Sequence, residues 1–593
     1  MYERRRASIS KECCYNLNNR DNAKPAQNWI QTITHWKTTL YDLGHMAVME
    51  APSHEEPQML SRMSSDDSST AVGSTRDRLD IAGDSNPNVN RASMQSTRSL
   101  DDMVSLPREI LVIGVISLAQ FTTQVGLGQV LSILHIIAAD FGVTEPGIKA
   151  WLIAGYSLTV GTFILVSGRL GDVFGYKKML VIGYIWYAFW SMVAGLSVYS
   201  NYVLFIWARV LQGIGPSILL PNGLALLGVL YSPGRRKNMA FAVFGGVAPG
   251  GSVIGSTFGG ICALAWWPWT FWSSAIVLAI IAAVAAWAVP DPPRKVDISE
   301  KSHFEVLKMC DPLGALAGVT GLVLFNFAWN QAPIDGWNAP HVIVTLILGL
   351  LVIGGFFYIE LHVSSNPLIP FDALNGDTAF VLGIMACGWG AFGIWVYYLW
   401  QQLEVLRGAS PLLASAYLTP LILSGVVAAL TTGFLFSYIR PPWVMMMAMI
   451  AFLTSSILVA TSAPKQTYWA QIFVTCIVAP FGMDLSFPAA SLILSNSVSR
   501  EHQGVAASLI NTVVNYSISL GLGFAGTVEV NVTKGDGSFG DTLHGYRSGF
   551  YMGIGLAGLG IFLSFVFVLK SYWKDHTDAR ARALEEKSGL PGA

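Results

Sequence analysis

"GRLGDVFGYKK", residues 168–178, crowds three glycines, one acid and three basic residues into eleven positions between two long apolar runs. Such a cluster reads as a loop at a membrane surface if both flanks can cross a bilayer. Crossing takes ~20 apolar residues of helix, and the flanking runs near 150–168 and 179–198 are of that order. Composition says the same of the whole chain. Of 593 residues, 52% are hydrophobic and 12% charged, against roughly 25% charged in an average soluble domain. So few charges cannot cover a soluble surface, which places the chain in the membrane class. A net charge of −1 gives no bulk attraction to nucleic acid.

Working outward from the cluster, fourteen runs qualify as spans. Six lie near 110–137, 150–168, 179–198, 202–224, 240–263 and 269–289. A basic connector, "PDPPRKVDISEKSHFEVLK", precedes two more near 313–330 and 341–361. The last six lie near 378–400, 412–436, 443–461, 470–495, 504–528 and 550–569. The expected fold is therefore an all-α membrane protein, two six-helix bundles with two inserted helices. The expected organisation is a disordered cytoplasmic tail over 1–106, a bundle over 107–290, a basic linker with two inserted helices over 291–377, a second bundle over 378–570 and a cytoplasmic tail over 571–593. The serine-rich tail buries too little apolar surface to offset ordering entropy. Its "RASMQSTRS" places serines beside arginines, where phosphorylation would change the charge; a plain solvated linker is the simpler reading. No apolar h-region opens the chain, so a cleavable signal is not expected.

Lysine and arginine in short loops orient the spans. One set of loops holds Lys177, Lys178, Arg235 to Lys237, Arg294, Lys295, Lys301, Lys308, Arg440 and Arg500, and the tail adds Lys570, Lys574, Arg580 and Arg582. The alternate set holds only Lys149, Arg407, Lys465, Lys534 and Arg547. The first set and both termini are thus expected in the cytosol, with the plasma membrane, or an endomembrane such as the vacuole, as the site. Asn531 opens an N-x-T glycosylation acceptor in the longest loop assigned outside. The six cysteines (Cys13, Cys14, Cys262, Cys310, Cys387, Cys476) show no disulfide or zinc spacing. Neither a metal nor a cofactor is expected, and the absence of a P-loop or a nucleophile–base signature leaves ATP-driven pumping and enzymatic chemistry unsupported.

The opening cluster resembles the signature loop of the major facilitator superfamily, roughly G-x-x-x-D-R-x-G-R-K/R. Gly168, Asp172, Gly175, Lys177 and Lys178 match; Val173 and Tyr176 replace two customary arginines. The resemblance implies a conformational latch at Asp172. Physically, an acid at a helix end can face a neighbouring helix N-terminus; a static turn with topogenic lysines is the alternative. "RVLQGIGPSILLPNG", 209–223, puts Arg209 seven residues inside its run. An intramembrane arginine is a functional candidate by default, and the resemblance links an arginine followed by Q-G to proton transfer; snorkelling outward is the alternative. "GGVAPGGSVIGSTFGG", 245–260, resembles the antiporter signature G-P-x-x-G-G with altered order, through Gly246, Pro249, Gly250 and Gly255. Its small residues permit close helix packing and its proline favours a bend.

"APFGMDLSFPAASLILSNSVSREHQGVAASLINTVVNYSISLG", 479–521, and "LGQVLSILHIIAADFG" resemble fungal members of the fourteen-helix drug:proton antiporter branch, closest to the aminotriazole-resistance and low-affinity ammonium transporter-like group. Gly126 stands where most of that branch has an acid. "GFLFSYIRPP" from Gly433 is a faded second copy of the first loop, as internal repeats imply. Asp484 lies ~14 residues into its run, ~21 Å at helical rise, deeper than any other acid in the apolar runs. Low dielectric suits a carboxyl group to taking up and releasing a proton, so Asp484, with Arg209, is the candidate for proton coupling; a structural acid bonded between helices is the alternative. Gln124, Gln129, Asn222, Trp395, Tyr398, Gln401, Asn511 and Asn515 are candidates for a substrate cavity. The reading is a monomeric secondary transporter, a non-enzyme whose partners are lipid, a small molecule and protons, and which exports small organic or toxic compounds. A facilitator for ammonium or borate, and a solute sensor, are the alternatives.

Overall fold

A computed structural model describes residues 105–231, 235–292, 301–369, 376–497 and 503–588. The serines beside arginines, Cys13, Cys14, Arg294, Lys295, Arg500 and nearly all of the expected N-terminal tail lie outside these residues. Among the described residues every regular element is helical.

Fourteen helices are long and apolar enough to span a membrane. They are α1 Leu106–Leu131, α2 Gly147–Phe174, α3 Tyr176–Tyr199, α4 Tyr202–Leu230, α5 Met239–Ala265, α6 Trp269–Ala288, α7 Pro312–Asp335, α8 Pro340–His362, α9 Gly376–Leu406, α10 Pro411–Leu435, α11 Pro441–Thr461, α12 Gln471–Leu494, α13 Ala507–Val532 and α14 Phe539–Lys574. The number is even, so the chain enters α1 and leaves α14 on one side, called here the terminal side; the opposite is the far side.

Packing repeats between the two halves. In the first, α1 lies on α5, α2 and α3 both lie on α4, and α3 lies on α6. In the second, α9 lies on α13, α10 and α11 both lie on α12, and α11 lies on α14. The halves meet along two seams, α2 against α13 and α5 against α10, which correspond to one another under the same equivalence. The inserted pair α7–α8 packs, through α7, on the α2–α13 seam.

Glycines make the close approaches. A methyl group on Gly251, Gly255 or Gly259 of α5 would lie 2.6 Å from a carbonyl oxygen of α1: Phe121, Val125 and Gln129 in turn. This i, i+4 stripe lets two backbones touch. Further along, α5 is broken. Its first segment ends at Gly246 and its second restarts at Ala248, because Pro249 has no N–H to continue the ladder.

Two spans differ from the sequence expectation. Helix α14 begins at Phe539, about a dozen residues before the expected 550, and continues to Ser588. Its first turns, "FGDTLHGYRS", are too polar to be counted as membrane-spanning but are helical. The expected outer loop shrinks accordingly, and Asn531 sits exposed in the last turn of α13, its amide donating to the Thr527 carbonyl. At the terminal side, the short helix His303–Met309 in the connector ends under Arg169, whose Nε donates to the Met309 carbonyl at 2.9 Å.

Candidate functional site

Arg209 of α4 is fully buried, and every part of its guanidinium is engaged. Nη1 donates to Gln212 Oε1 at 2.5 Å, Nη2 to the Gly126 carbonyl of α1 at 3.0 Å and Nε to the Leu152 carbonyl of α2 at 3.3 Å. Its charge sits 4.3 Å from the centre of the Tyr156 ring, a favourable cation–π distance. Gln212 passes the network on to Ser191 of α3 at 2.6 Å. The Tyr156 and Tyr187 hydroxyls, 3.2 Å apart, donate to the Thr123 and Thr122 carbonyls. Four helices are tied together by one cation and no carboxylate.

Gly126 is part of this arrangement. A β-carbon there would collide with both the Tyr187 and Tyr156 hydroxyls. The space an acidic side chain would need is filled by two phenols, and the charge of Arg209 is met by carbonyl dipoles instead.

Asp484 of α12 is different. Its Oδ2 is buried and accepts no hydrogen bond. It faces the α5–α10 seam: a methyl group on Gly425 of α10 would lie 3.5 Å from Asp484 Oδ2 and 2.8 Å from Pro249 of α5. Proline flanks it on the chain, at Pro480 and Pro488. Pro488 cannot bond the carbonyl four residues back, which is that of Asp484, and the Thr432 hydroxyl of α10 takes up that carbonyl at 2.9 Å. Among the described residues Arg209 and Asp484 form no ion pair with each other in this conformation.

The opening loop is a turn with bonds on three sides. Gly175, at φ +100°, ends α2 and begins α3. Asp172 Oδ1 accepts from the Tyr176 hydroxyl at 2.5 Å. Lys177 pairs with Asp291 beyond α6 at 3.1 Å; Lys178 is exposed. Gly168 brings the end of α2 against α13, where a methyl group would lie 3.2 Å from Ser508 Oγ. In the glycine-rich helix, Gly246 and Gly250 have open space around them, while Gly255 and Pro249 are at the close contacts given above.

The eight polar and aromatic cavity candidates divide. Gln124 and Asn515 are partly exposed. The other six are buried between helices. Gln129 Oε1 accepts from Ser274 of α6, Asn222 donates to Ser167 of α2 and Trp395 donates to Thr475 of α12. Asn511 donates to its own helix, and Tyr398 donates to Glu529 of α13 at 2.7 Å. Gln401 lies at the far end of α9 with Nε2 unbonded.

Among the described residues the structure buries five further acids: Glu109, Asp311, Glu360, Glu404 and Glu529. The sequence places Glu360 and Glu529 at helix ends and gives none of the five a role. Glu529 lines a small far-side cleft with Tyr397, Tyr398, Asn330 and Gly147. Glu404 lies 3.8 Å from His135. Each sits within a turn of a helix end, where an acid ordinarily reaches water, so the sequence carries no depth signal for them.

A sequence profile of the Major Facilitator Superfamily matches residues 116–522. The chain belongs to the major facilitator superfamily. It is 51% identical over 471 residues to the "Low affinity ammonium transporter" of Saccharomyces cerevisiae, covering 79% of this chain and 90% of the relative. It is 42% identical to "Efflux pump terG" of Aspergillus terreus, covering 82% and 91%. It is 38% identical to the "Aminotriazole resistance protein" of Saccharomyces cerevisiae, covering 81% and 87%. In fold it is similar to the human organic anion transporter MFSD10, with a TM-score of 0.50 at 14% identity, covering 78% of this chain and all of that one. This superfamily member is a multi-pass membrane transporter of a small molecule, surrounded by lipid, and its relatives are transporters rather than enzymes.

Proposed function

We propose that this transporter exports small organic molecules in exchange for protons, with Asp484 as the group that carries the coupling proton. The observation that carries the reading is the unbonded, buried Oδ2 of Asp484 beside the α5–α10 seam. A coupled exchanger needs a group that holds a proton in one conformation and releases it in another. A carboxyl shut from water favours its neutral form, and hydration restores the charge. Movement of α5 against α10 would change the water reaching Asp484. Relatives whose names record efflux and aminotriazole resistance support the export direction. The charge bias of the loops supports a cytoplasmic terminal side. Arg209, bound as it is, holds the first half together. Asp172 is proposed as a latch at the end of α2, and the chain is proposed to act as a monomer.

The test is transport in sealed vesicles with an imposed pH gradient, using labelled aminotriazole as probe. Asp484→Asn is expected to abolish gradient-driven transport while retaining counterflow exchange. Survival of gradient-driven transport would remove Asp484 from the coupling path. A second reading, a low-affinity permease for an ammonium-sized solute, is favoured by the 51% identical relative. It requires methylammonium to equilibrate without a pH gradient, in the wild type and in Asp484→Asn alike.

A further inference from the structure

At the far side the two halves meet through a polar contact for which neither the latch nor Asp484 accounts. His135 follows α1, in the short helix Leu134–Asp140. Glu404 lies in the π-helical turn Gln402–Leu406 that ends α9. Their facing atoms, His135 Nε2 and Glu404 Oε2, are 3.8 Å apart. The Glu404 side chain is 7% exposed. His135 Nε2, Glu404 Oε1 and Gln401 Nε2 are all buried without a hydrogen-bond partner. Apolar packing surrounds them and bridges the halves, with Leu131, Ile133 and Ile137 in one core with Leu399, Leu403 and Leu418. Nearby, Gly260 of α5 abuts Leu412 of α10.

Two acceptors facing each other in such a place repel unless a hydrogen lies between them. A neutral imidazole carries one N–H, on either ring nitrogen. On Nδ1 it leaves two bare acceptors facing each other, and on Nε2 it leaves Glu404 a buried charge whose Oε1 has no donor. In either case a proton on the carboxyl removes the penalty. One proton makes the pair attractive, whichever partner carries it. We propose that His135 and Glu404 form a proton-binding site across the seam between the two halves, and that one shared proton holds the far side shut. The site does not rest on Asp484 or on the direction of transport.

The charged surroundings fit one proton and not two. Burial, with the charge of Lys149 of α2 adding to it, lowers His135 to about 4. The imidazole is therefore neutral in this conformation, and the shared hydrogen belongs to the carboxyl side. The other titratable groups around the pair have partners of their own. Glu529 of α13 binds Tyr398, Arg407 binds the Gln466 and Ala463 carbonyls, and Arg547 of α14 donates to Ser462. Tyr417 of α10 stacks on Tyr468.

The pH window follows from the open state. With the halves parted, both groups are hydrated, and His135 titrates near ~6.5 and Glu404 near ~4.3. Between those values the open pair already holds one proton, and closure neither gains nor loses one. Above ~6.5 the open pair holds none while the closed pair still holds one. Closure then takes up a proton, and the closed-to-open ratio falls by roughly tenfold per pH unit. Acidification shuts the far side; alkalinisation opens it.

The experiment is pulsed electron paramagnetic resonance on the full chain in lipid nanodiscs between pH 5 and 8. Its six native cysteines are replaced by alanine, and spin labels are placed at the exposed far-side positions 199 and 465, one in each half. The wild-type distance distribution is expected to shift from short to long above about pH 6.5. In Glu404→Gln the amide supplies a permanent N–H to His135, and the short distance should persist at every pH. His135→Asn supplies a permanent N–H to Glu404 and should give the same result, which covers the case in which one variant fails to fold. Asp484→Asn should keep the wild-type response, so loss of coupling and loss of this switch are read separately. A wild type without a pH response, a Glu404→Gln or His135→Asn protein that retains it, or its loss in Asp484→Asn would each overturn the proposal.

Discussion

Helices α4 and α12 hold the same place in the two halves, and each carries two prolines and one charge inside an apolar run. Pro216 and Pro221 interrupt α4, and Pro480 and Pro488 interrupt α12. There the likeness ends. Arg209 on α4 donates to Gln212 and to two carbonyls and covers a tyrosine ring. Asp484 on α12 has a buried oxygen with no donor. A buried charge with all its bonds made holds a structure in one arrangement. A buried acid without them is stabilised by protonation or by movement that admits water. The same position in a repeat thus serves as a fastening in one half and, in our reading, as the working group in the other.

Substitutions at Asp484, Arg209, Gly126 and Thr432 break or sharpen this contrast. The largest effect is expected for Asp484→Asn, which should lower gradient-driven transport to background with unchanged thermal stability, since no hydrogen bond to the side chain is lost. A large fall in stability would show that the acid is a structural group like Arg209. Next comes Arg209→Met, which strips partners from Gln212 and from the Gly126 and Leu152 carbonyls. Breaking a buried charged network of this kind costs about 3 kcal/mol or more, measurable as a lower unfolding temperature in detergent. Arg209→Lys should fall between, because an ammonium cannot reproduce the fork.

A smaller loss, about 1–3 kcal/mol from overpacking, is expected for Gly126→Ala, whose methyl meets the Tyr187 hydroxyl. Removing that hydroxyl in the double variant Gly126→Ala, Tyr187→Phe should recover part of it. Additive losses would mean that the two sites do not touch as described. The smallest effect is expected at Thr432→Val. It removes one bond to the Asp484 carbonyl, about 1 kcal/mol, and frees α12 beside its proline. Slower transport at near-normal stability is the expected outcome, and an unchanged rate would confine Thr432 to packing.

The spans were legible because apolar run length is a direct physical requirement of a bilayer, and the cluster at 168–178 falls at the α2–α3 turn where the sequence put it. The start of α14 was not legible, since "FGDTLHGYRS" is helical for reasons other than lipid contact. Side-chain direction was harder still. Asn222 and Gln129 interrupt apolar runs just as cavity residues do, yet the structure turns them against neighbouring helices. The partners of Arg209 are mostly backbone carbonyls, which leave no mark on a sequence. Glu404 and His135 are far apart in the chain, and only the tertiary fold brings the short helix after α1 beside the end of α9.

The inserted pair α7–α8 makes the two seams unequal. Along α2–α13, the Tyr516 hydroxyl of α13 donates to the Leu322 carbonyl of α7. The Ser519 hydroxyl lies 3.0 Å from both Asn326 of α7 and the Ala154 carbonyl of α2, and Trp151 of α2 donates to Gln331 of α7. Among the described residues no further helix covers α5–α10. A greasy solute dissolved among the acyl chains therefore meets a doubled, hydrogen-bonded wall on one flank and a single layer jointed by Pro249 and Gly425 on the other. For cargo drawn from the bilayer rather than from water, the α5–α10 seam beside Asp484 is the thinner of the two walls.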